Sequence, residues 1–359
     1  MTLIQQNGQK IRDTARKHSA LEKAEEAAVE QFETRLVGTG YALPERVVPN
    51  TEFEKMVDTS DEWIRKRTGI HERRFADTTD RTSDYASDAG LKALNAAGIA
   101  PAGLDAIVLA TNTPDMRLPA TANFVQRRIG AENAYAYDIS AACSGFIFAL
   151  SSAYAHIQAG FARNALVIGA EIYSSILDFQ DRTTCVLFGD GAGAVVLERK
   201  KPEGADTRSG VLGVSLYSQG QYTDILQCEG SGTVGRTTLR AAEGRVIKMD
   251  GKIVFKVAIQ GVTRASRDVL QKTGLDIGDV DWLIPHQANI RIIENIAQVL
   301  GCPMEKVVVN VDRVGNTSSA SVPIALGEAV RDGRITKGDI VLLSAVGGGF
   351  SSGAVLLRM

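Results

Sequence analysis

Short apolar runs bounded by glycine alternate along this chain with longer alanine-rich segments. Ala106-Ile107-Val108 and Ala165-Leu166-Val167-Ile168 have the β-branched content of strands, and the segments between such runs have helical spacing. Strands that read as near-continuous apolar stretches are buried on both faces, so helices must cover them. One helical segment, Cys143 to Ala159, is rich in Ala and Ser and nearly uncharged. A helix that is apolar on every side has to lie inside the protein. The pattern predicts an α/β fold in which two sheets sandwich central helices.

The pattern also repeats. Leu36-Val37-Gly38-Thr39-Gly40 returns loosely, 175 residues later, as Val211-Leu212-Gly213-Val214-Ser215. Leu104 to Val108, after Gly98, matches Val280 to Ile284, after Gly274, at an offset of 176. Ala165 to Ile168 matches Ile340 to Leu343, and Gly193 to Leu197 matches Gly353 to Leu357. Collinear matches at this spacing indicate a duplicated domain and not a short solenoid repeat. The polar stretch Lys200 to Asp206, with Pro202 and Gly204, reads as a connection. The chain therefore divides into an extension (1–34), a first half (35–199), a linker (200–209) and a second half (210–359). In the extension, Leu21, Ala24, Ala28 and Phe32 follow helical spacing, which predicts an amphipathic helix or a loosely ordered tail.

Composition narrows the function. The formal net charge is −2 and no basic cluster suggests nucleic acid or a membrane surface. The first residues hold no apolar stretch of signal-peptide length, and Glu22, Glu25, Glu26 and Glu30 are unlike a transit peptide, so the chain reads as cytoplasmic. Cys143, Cys185, Cys228 and Cys302 form no Cys-x-x-Cys pair, and His18, His71, His156 and His286 are equally scattered. Neither a disulfide framework nor a zinc site is expected.

Three residues stand out against this background. Cys143 follows a strand-like run, Tyr135-Ala136-Tyr137, and precedes the buried helix. A helix N-terminus favours thiolate over thiol, and small neighbours leave room for a substrate; a small buried hydrophobe is the competing reading. His286 follows Pro285 at the end of a predicted core strand, where ligand sites of α/β sheets gather, or is a hydrogen-bonded core histidine. Asn316 precedes the apolar helix Val322 to Val330 and could cap it. The repeat adds that Cys143, shifted by 176, falls on Ser319, so the two buried helices start near one another. The Gly-rich turn Val346 to Phe350 offers backbone N–H groups to an oxyanion.

Five motifs, in this order, carry a resemblance: Thr59-Ser60-Asp61-Glu62-Trp63-Ile64 with Arg67-Thr68-Gly69-Ile70; Ala142-Cys143-Ser144-Gly145-Phe146; Phe188-Gly189-Asp190-Gly191-Ala192-Gly193; Pro285-His286-Gln287-Ala288-Asn289; and Gly315-Asn316-Thr317-Ser318. From about Gly38 onward the chain resembles 3-oxoacyl-acyl carrier protein synthase III, of the thiolase fold. The resemblance implies a layered α-β-α-β-α sandwich of two duplicated halves, and a homodimer. It implies decarboxylative condensation of an acyl-CoA with malonyl-acyl carrier protein, with no metal or redox cofactor. Under it, Cys143 resembles the nucleophile, and His286 and Asn316 the pair that binds the malonyl thioester carbonyl. The N–H groups of Cys143 and Gly348 resemble the oxyanion hole, and Phe188 a neighbour of the nucleophile. Trp63, Arg67 and Arg182 match residues holding the nucleotide of coenzyme A. Asn289 matches a position near its pantetheine, Ala288 a substrate-binding position, and Lys256 and Arg291 basic positions facing the carrier protein.

Three departures are visible. Leu118-Pro119 stands where some members have a phenylalanine from the neighbouring subunit, Gln298-Val299 replaces a basic pair, and Ser351-Ser352 replaces Thr-Trp. Three competing functions remain at this level. They are transfer of the acyl group to a non-malonyl acceptor, thioester hydrolysis at Cys143, and non-catalytic carrier binding. The intact Cys-His-Asn set argues against the last.

Overall fold

A computed structural model of the chain describes residues 32–202, 209–228 and 246–359. Most of the predicted N-terminal extension and the centre of the predicted linker lie outside these residues. Strand β1 (Glu33–Ala42) begins two residues inside the stretch assigned to the extension. Phe32, predicted on its amphipathic helix, lies under the Arg199 guanidinium at 3.7 Å from the ring centroid.

After β1 come β2 (Val47–Pro49), helix α1 (Asp61–Thr68), β3 (Glu72–Arg74), α2 (Thr82–Ala97), β4 (Ala106–Ala110), α3 (Thr121–Ile129) and β5 (Tyr135–Ile139). Helix α4 (Gly145–Gln158), β6 (Asn164–Ile172) and β7 (Asp190–Lys200) complete the first half. The second half holds β8 (Gly210–Ser218), β9 (Leu226–Cys228), β10 (Ile247–Met249), α5 (Gly251–Thr273), β11 (Trp282–Pro285), α6 (Ile290–Leu300), α7 (Ser321–Arg331), β12 (Ile340–Gly347) and β13 (Ser351–Arg358).

The two large sheets have the same plan. The first runs β1-β7-β6-β4-β5 and the second β8-β13-β12-β11. A parallel bridge between Leu283 and Val307 stands where the second sheet's counterpart of β5 would be. In each sheet the first two pairings are antiparallel (β1-β7 and β7-β6; β8-β13 and β13-β12) and the remaining ones are parallel. The duplicated halves read from the sequence are therefore duplicated sheets.

Strand alternation sorts the apolar side chains into layers. On β4, Ala106, Val108 and Ala110 face the space between the sheets, while Ile107 and Leu109 face α2 and α3 outside. On β12, Val341, Leu343 and Ala345 face inward, and Ile340, Leu342 and Val346 face α5 and α6. This two-sided burial is why the strands are apolar throughout. Helices α4 and α7 fill the central layer and touch both sheets. The result is the expected α-β-α-β-α sandwich. Close approach sets its thickness: a Cβ on Gly193 of β7 would lie 2.6 Å from the carbonyl carbon of Pro323 in the first turn of α7.

Gly193→Ala should therefore destabilise the protein by about 1–3 kcal/mol, through overpacking against helix backbone. Gly103→Ala, where an added methyl meets nothing within 4 Å, should change stability by less than about 0.5 kcal/mol. Denaturant midpoints of the two variants check this, and equal midpoints would contradict it.

Candidate active site

The position of Cys143 is built by a turn and not by the helix itself. β5 leads through Ser140 and Ala141 into a tight 3₁₀ turn, Ala142–Ser144, and α4 starts only at Gly145. Ala142 takes a left-handed φ of 48°, sparsely populated for a residue with a side chain. The Ser144 hydroxyl donates back to the Ala141 carbonyl at 2.6 Å. The end of β12 closes over this turn: a Cβ on Gly347 would collide with the Cys143 backbone nitrogen. Gly348 follows, against the same cavity as Cys143.

The sequence led us to expect a thiolate, because the sulfur sits at a helix start. Burial opposes this and pushes the Cys143 thiol up to about 12. Hydrogen bonds from the Ser318 and Tyr173 side chains and the residue's own amide pull the other way, and the nearby Glu171 carboxylate adds to the rise. The resting sulfur is a thiol, and it needs an acceptor for its proton.

His286 follows β11, which runs parallel to β12. Its N–H donates to the Ser344 carbonyl at 2.7 Å, so the adjacent strand sets its backbone. Its Nδ1 lies 2.7 Å from Ser321 Oγ, at the first residue of α7. Burial lowers its pKa to about 3, so the imidazole is neutral at ordinary pH. Gln287 braces the turn by donating to the Pro285 and Val308 carbonyls and accepting from the Asn310 N–H.

Asn316 is held by the opposite half. It forms a parallel bridge with Phe188: its N–H donates to Leu187 O at 2.9 Å, and its carbonyl accepts from Gly189 N at 3.0 Å. Its Oδ1 accepts the Ser318 N–H at 2.9 Å. Asn316 thus bonds the first amide of the 3₁₀ turn Ser318–Ala320, whose cap position is Thr317, and does not cap α7, whose cap position is Ala320. Ser318 has φ 51°, the counterpart of Ala142 176 residues earlier, and Ser319 occupies the place of Cys143. Below this loop lies the fully buried Arg73, which donates to the Val48 and Val186 carbonyls over the face of Phe53. Its Cβ would be 3.0–3.1 Å from a methyl on Gly315 or Gly189, so both glycines admit the arginine.

Cys143, Phe188 and Gly348 line one cavity of about 830 Å³. Tyr173 lines it too, stacked on Phe188 with ring centroids 4.7 Å apart. Asn316 and His286 are buried and do not line this cavity; Asn316 bonds Ser318 and His286 bonds Ser321, on either side of Ser319 and Ala320. Leu118 is 80 % exposed and lies outside this cavity, although Met116 and Arg117 line it.

The other expected residues fall into two surface groups. Trp63 stands between the Arg67 and Arg182 guanidiniums, 5.9 and 5.5 Å from its ring centroid. Arg182 is fixed by the Asp58 carbonyl at 2.6 Å. The end of α1 packs on the start of α6: a Cβ on Gly69 would lie 2.7 Å from the Ile290 side chain, next in the chain to Ala288 and Asn289. The Asn289 side chain is engaged as the cap of α6, accepting from Ile292 N at 2.9 Å. Lys256 and Arg291 are exposed on adjacent helices α5 and α6, with Arg291 5.9 Å from the ring centroid of Phe255. Sequence reasoning assigned no role to Glu171, Tyr173, Ser318 or Ser321. The signal for Glu171 was an acid ending the apolar run Ala165 to Ala170.

The family described as 3-Oxoacyl-[acyl-carrier-protein (ACP)] synthase III matches residues 137–220, and its C-terminal region matches residues 270–359. The beta-ketoacyl-[acyl-carrier-protein] synthase III of Ruegeria pomeroyi is 50 % identical over 321 residues, covering 89 % of this chain and 97 % of that protein. The crystal structure of 3-oxoacyl-[acyl-carrier-protein] synthase III from Aquifex aeolicus superposes with a TM-score of 0.83 at 46 % identity, over 91 % of this chain and all of that one. The priming beta-ketosynthase of the R1128 polyketide pathway superposes with a TM-score of 0.84 at 36 % identity, over 91 % of this chain and 96 % of that one.

The neutral, buried His286 has a consequence for acid stability. Between about pH 6.5 and the folded-state value, the unfolded chain binds a proton there and the folded chain does not, so stability falls as pH drops. The contribution is about 1.4 kcal/mol per pH unit. Denaturation of the wild type and His286→Gln across this range should show a shallower acid-side loss in the variant, and parallel curves would count against a neutral His286.

Proposed function

The chain belongs to the beta-ketoacyl-[acyl-carrier-protein] synthase III family, and we propose that it condenses an acyl-CoA primer with malonyl-acyl carrier protein, releasing carbon dioxide and giving a 3-oxoacyl-acyl carrier protein. The reading rests on one arrangement. The turn Ala142–Ser144, which carries Cys143, packs on the turn Ser318–Ala320, the Ser318 amide bonds the Asn316 carboxamide, and three residues on Ser321 bonds His286.

In the first stage Cys143 accepts the acyl group and coenzyme A leaves. Covalent capture divides a difficult condensation into two easier steps. In the second stage the malonyl thioester loses carbon dioxide, and negative charge develops on its carbonyl oxygen. Both stabilising donors are oriented beforehand. Asn316 Oδ1 is occupied by the Ser318 N–H, which leaves Nδ2 to donate. Ser321 Oγ accepts the Gln287 N–H at 3.4 Å and lies 2.7 Å from His286 Nδ1; in this reading its own proton goes to Nδ1 and the ring carries its proton on Nε2. The neutral imidazole and the carboxamide then donate together to the enolate oxygen. The carbanion attacks the acyl-cysteine, and the N–H groups of Cys143 and Gly348 serve the tetrahedral oxyanion.

Trp63, Arg67 and Arg182 take the nucleotide of coenzyme A in this reading, with Ala288 and Asn289 along its pantetheine. Phe188 walls the nucleophile, and Leu118 reaches the site of a second copy in a homodimer. Lys256 and Arg291 face the acidic carrier protein. No described helix is long and apolar enough to cross a membrane, and a cytoplasmic site of action is part of the proposal.

Cys143→Ala should form no acyl-enzyme and keep malonyl decarboxylation. His286→Ala should keep the acyl-enzyme and lose about 10²–10³ in decarboxylation, the usual effect of deleting one preorganised donor. Intact-mass spectrometry with labelled acyl-CoA reads both, and an acyl adduct on the Cys143→Ala protein would sink the assignment. Reversing both charges, Lys256→Glu with Arg291→Glu, should raise KM for the carrier-bound malonyl thioester about tenfold while acyl-enzyme formation is unchanged. Steady-state kinetics with varied carrier concentration test this.

A further inference from the structure

Arg73, at the centre of β3, is fully buried, and the reaction described above gives it no task. Its Nη1 donates to the Val48 carbonyl at 3.0 Å and its Nη2 to the Val186 carbonyl at 2.7 Å. Its Nε is buried with no partner, and the guanidinium lies 4.5 Å from the ring centroid of Phe53. Among the described residues no carboxylate forms an ion pair with it. Burying a cation without a counter-ion is costly, and an apolar side chain of similar volume would fill the space at less cost. What an apolar residue lacks is the rigid fork, which here ties together two carbonyls from separate segments.

The second of those carbonyls stands next to the site. Val186 is followed by Leu187, whose carbonyl accepts the Asn316 N–H at 2.9 Å, and by Gly189, whose N–H donates to the Asn316 carbonyl at 3.0 Å. Strand β3 also grips the other side of this bridge. The His71 N–H donates to the Asp312 carbonyl at 2.8 Å, in the short helical turn Val311–Val314 that leads into Asn316. These three segments have no slack between them. A methyl on Gly189 would collide with the Val314 carbonyl oxygen, and one on Gly315 would lie 3.0 Å from both the Arg73 Cβ and the Leu187 carbonyl oxygen. The Asn316 carboxamide takes its aim from this backbone and from the Ser318 N–H. The turn that carries Cys143 is held elsewhere, by the Ser144 hydroxyl and by the end of β12 at Gly347.

We propose that Arg73 is a positioning residue for Asn316. By tying the Val186 carbonyl to the Val48 carbonyl it fixes the segment to which Asn316 is bridged, and so sets the point to which the carboxamide donates. Arg73 itself touches no substrate. The inference rests on Asn316 donating to the malonyl thioester carbonyl, and it assigns Arg73 to the second stage of the reaction and not to the first.

The two stages are measured separately on Arg73→Met. Release of labelled carbon dioxide from malonyl-acyl carrier protein should fall about tenfold, as for a donor displaced by a fraction of an ångström. Acyl-enzyme formation at saturating acyl-CoA, read by intact mass, should keep the wild-type rate. In an Asn316→Ala background, Arg73→Met should cause no further loss of decarboxylation, because two residues that act through one another are not additive. Arg73→Lys, which keeps the charge but not the fork, should fall between wild type and Arg73→Met, and it carries the same comparison where Arg73→Met does not fold. Unchanged decarboxylation, an equal loss of both stages, or an undiminished further loss on top of Asn316→Ala would each overturn the proposal. Wild-type protein and Asn316→Ala separate it from the reading beneath. Equal decarboxylation by those two removes Asn316 as a donor, whereas a loss confined to Asn316→Ala removes only the role of Arg73.

Discussion

Two backbone turns must touch for this site to exist. The turn Ala142–Ser144 comes from one half of the chain and Ser318–Ala320 from the other, and each begins with a side-chain-bearing residue in left-handed φ. That conformation costs of order 1–3 kcal/mol per residue and survives only where the surroundings leave no alternative. Here the surroundings are glycines. A methyl on Gly169 would lie 2.9 Å from the Ser319 carbonyl carbon, and one on Gly145 would press on Ala110 and Ser319. The two sheets thus come close enough to hold both turns in place, and the side chains follow.

Burial then decides the charge state of almost everything in the pocket. Cys143, Tyr173 and Glu171 are pushed up and His286 is pushed down, each toward its uncharged form. Arg73 is lowered only to about 10 and stays a cation, bonded to backbone carbonyls behind the loop. The wider cavity is also lined by Asp80, Arg81, Asp115 and Arg117, so this uncharged surrounding is confined to the groups next to Cys143. In the proposed reaction, donors fixed there act on the transition state with little reorganisation.

Much of this was legible in the sequence. The duplicated sheets followed from Gly-bounded apolar runs at a constant offset, because strands buried on both faces tolerate no other composition. Cys143, His286 and Asn316 stood out in the sequence through short motifs, since each lies where a strand or turn meets a buried helix; the roles proposed for them come from the resemblance. The onset of α4 at Gly145 was not, because propensity does not distinguish a 3₁₀ turn from the first turn of an α-helix. Nor did helix position forecast the Cys143 thiol, since desolvation depends on what covers the sulfur. Glu171 and Tyr173 were missed because their partners, Ser318 and Ser319, are about 150 residues away and come near only in the folded chain. The expected role of Asn289 competes with a local one, capping α6.

The match between Cys143 and Ser319 carries a consequence for how such a protein arose. Both duplicated units retain the same strained elbow, and the two elbows pack against each other. In the proposed reaction, two nucleophiles that close would compete for one substrate. Specialisation of the copies, one keeping sulfur and the other a hydroxyl bonded to Glu171 and the Ala110 carbonyl, follows from the symmetry itself.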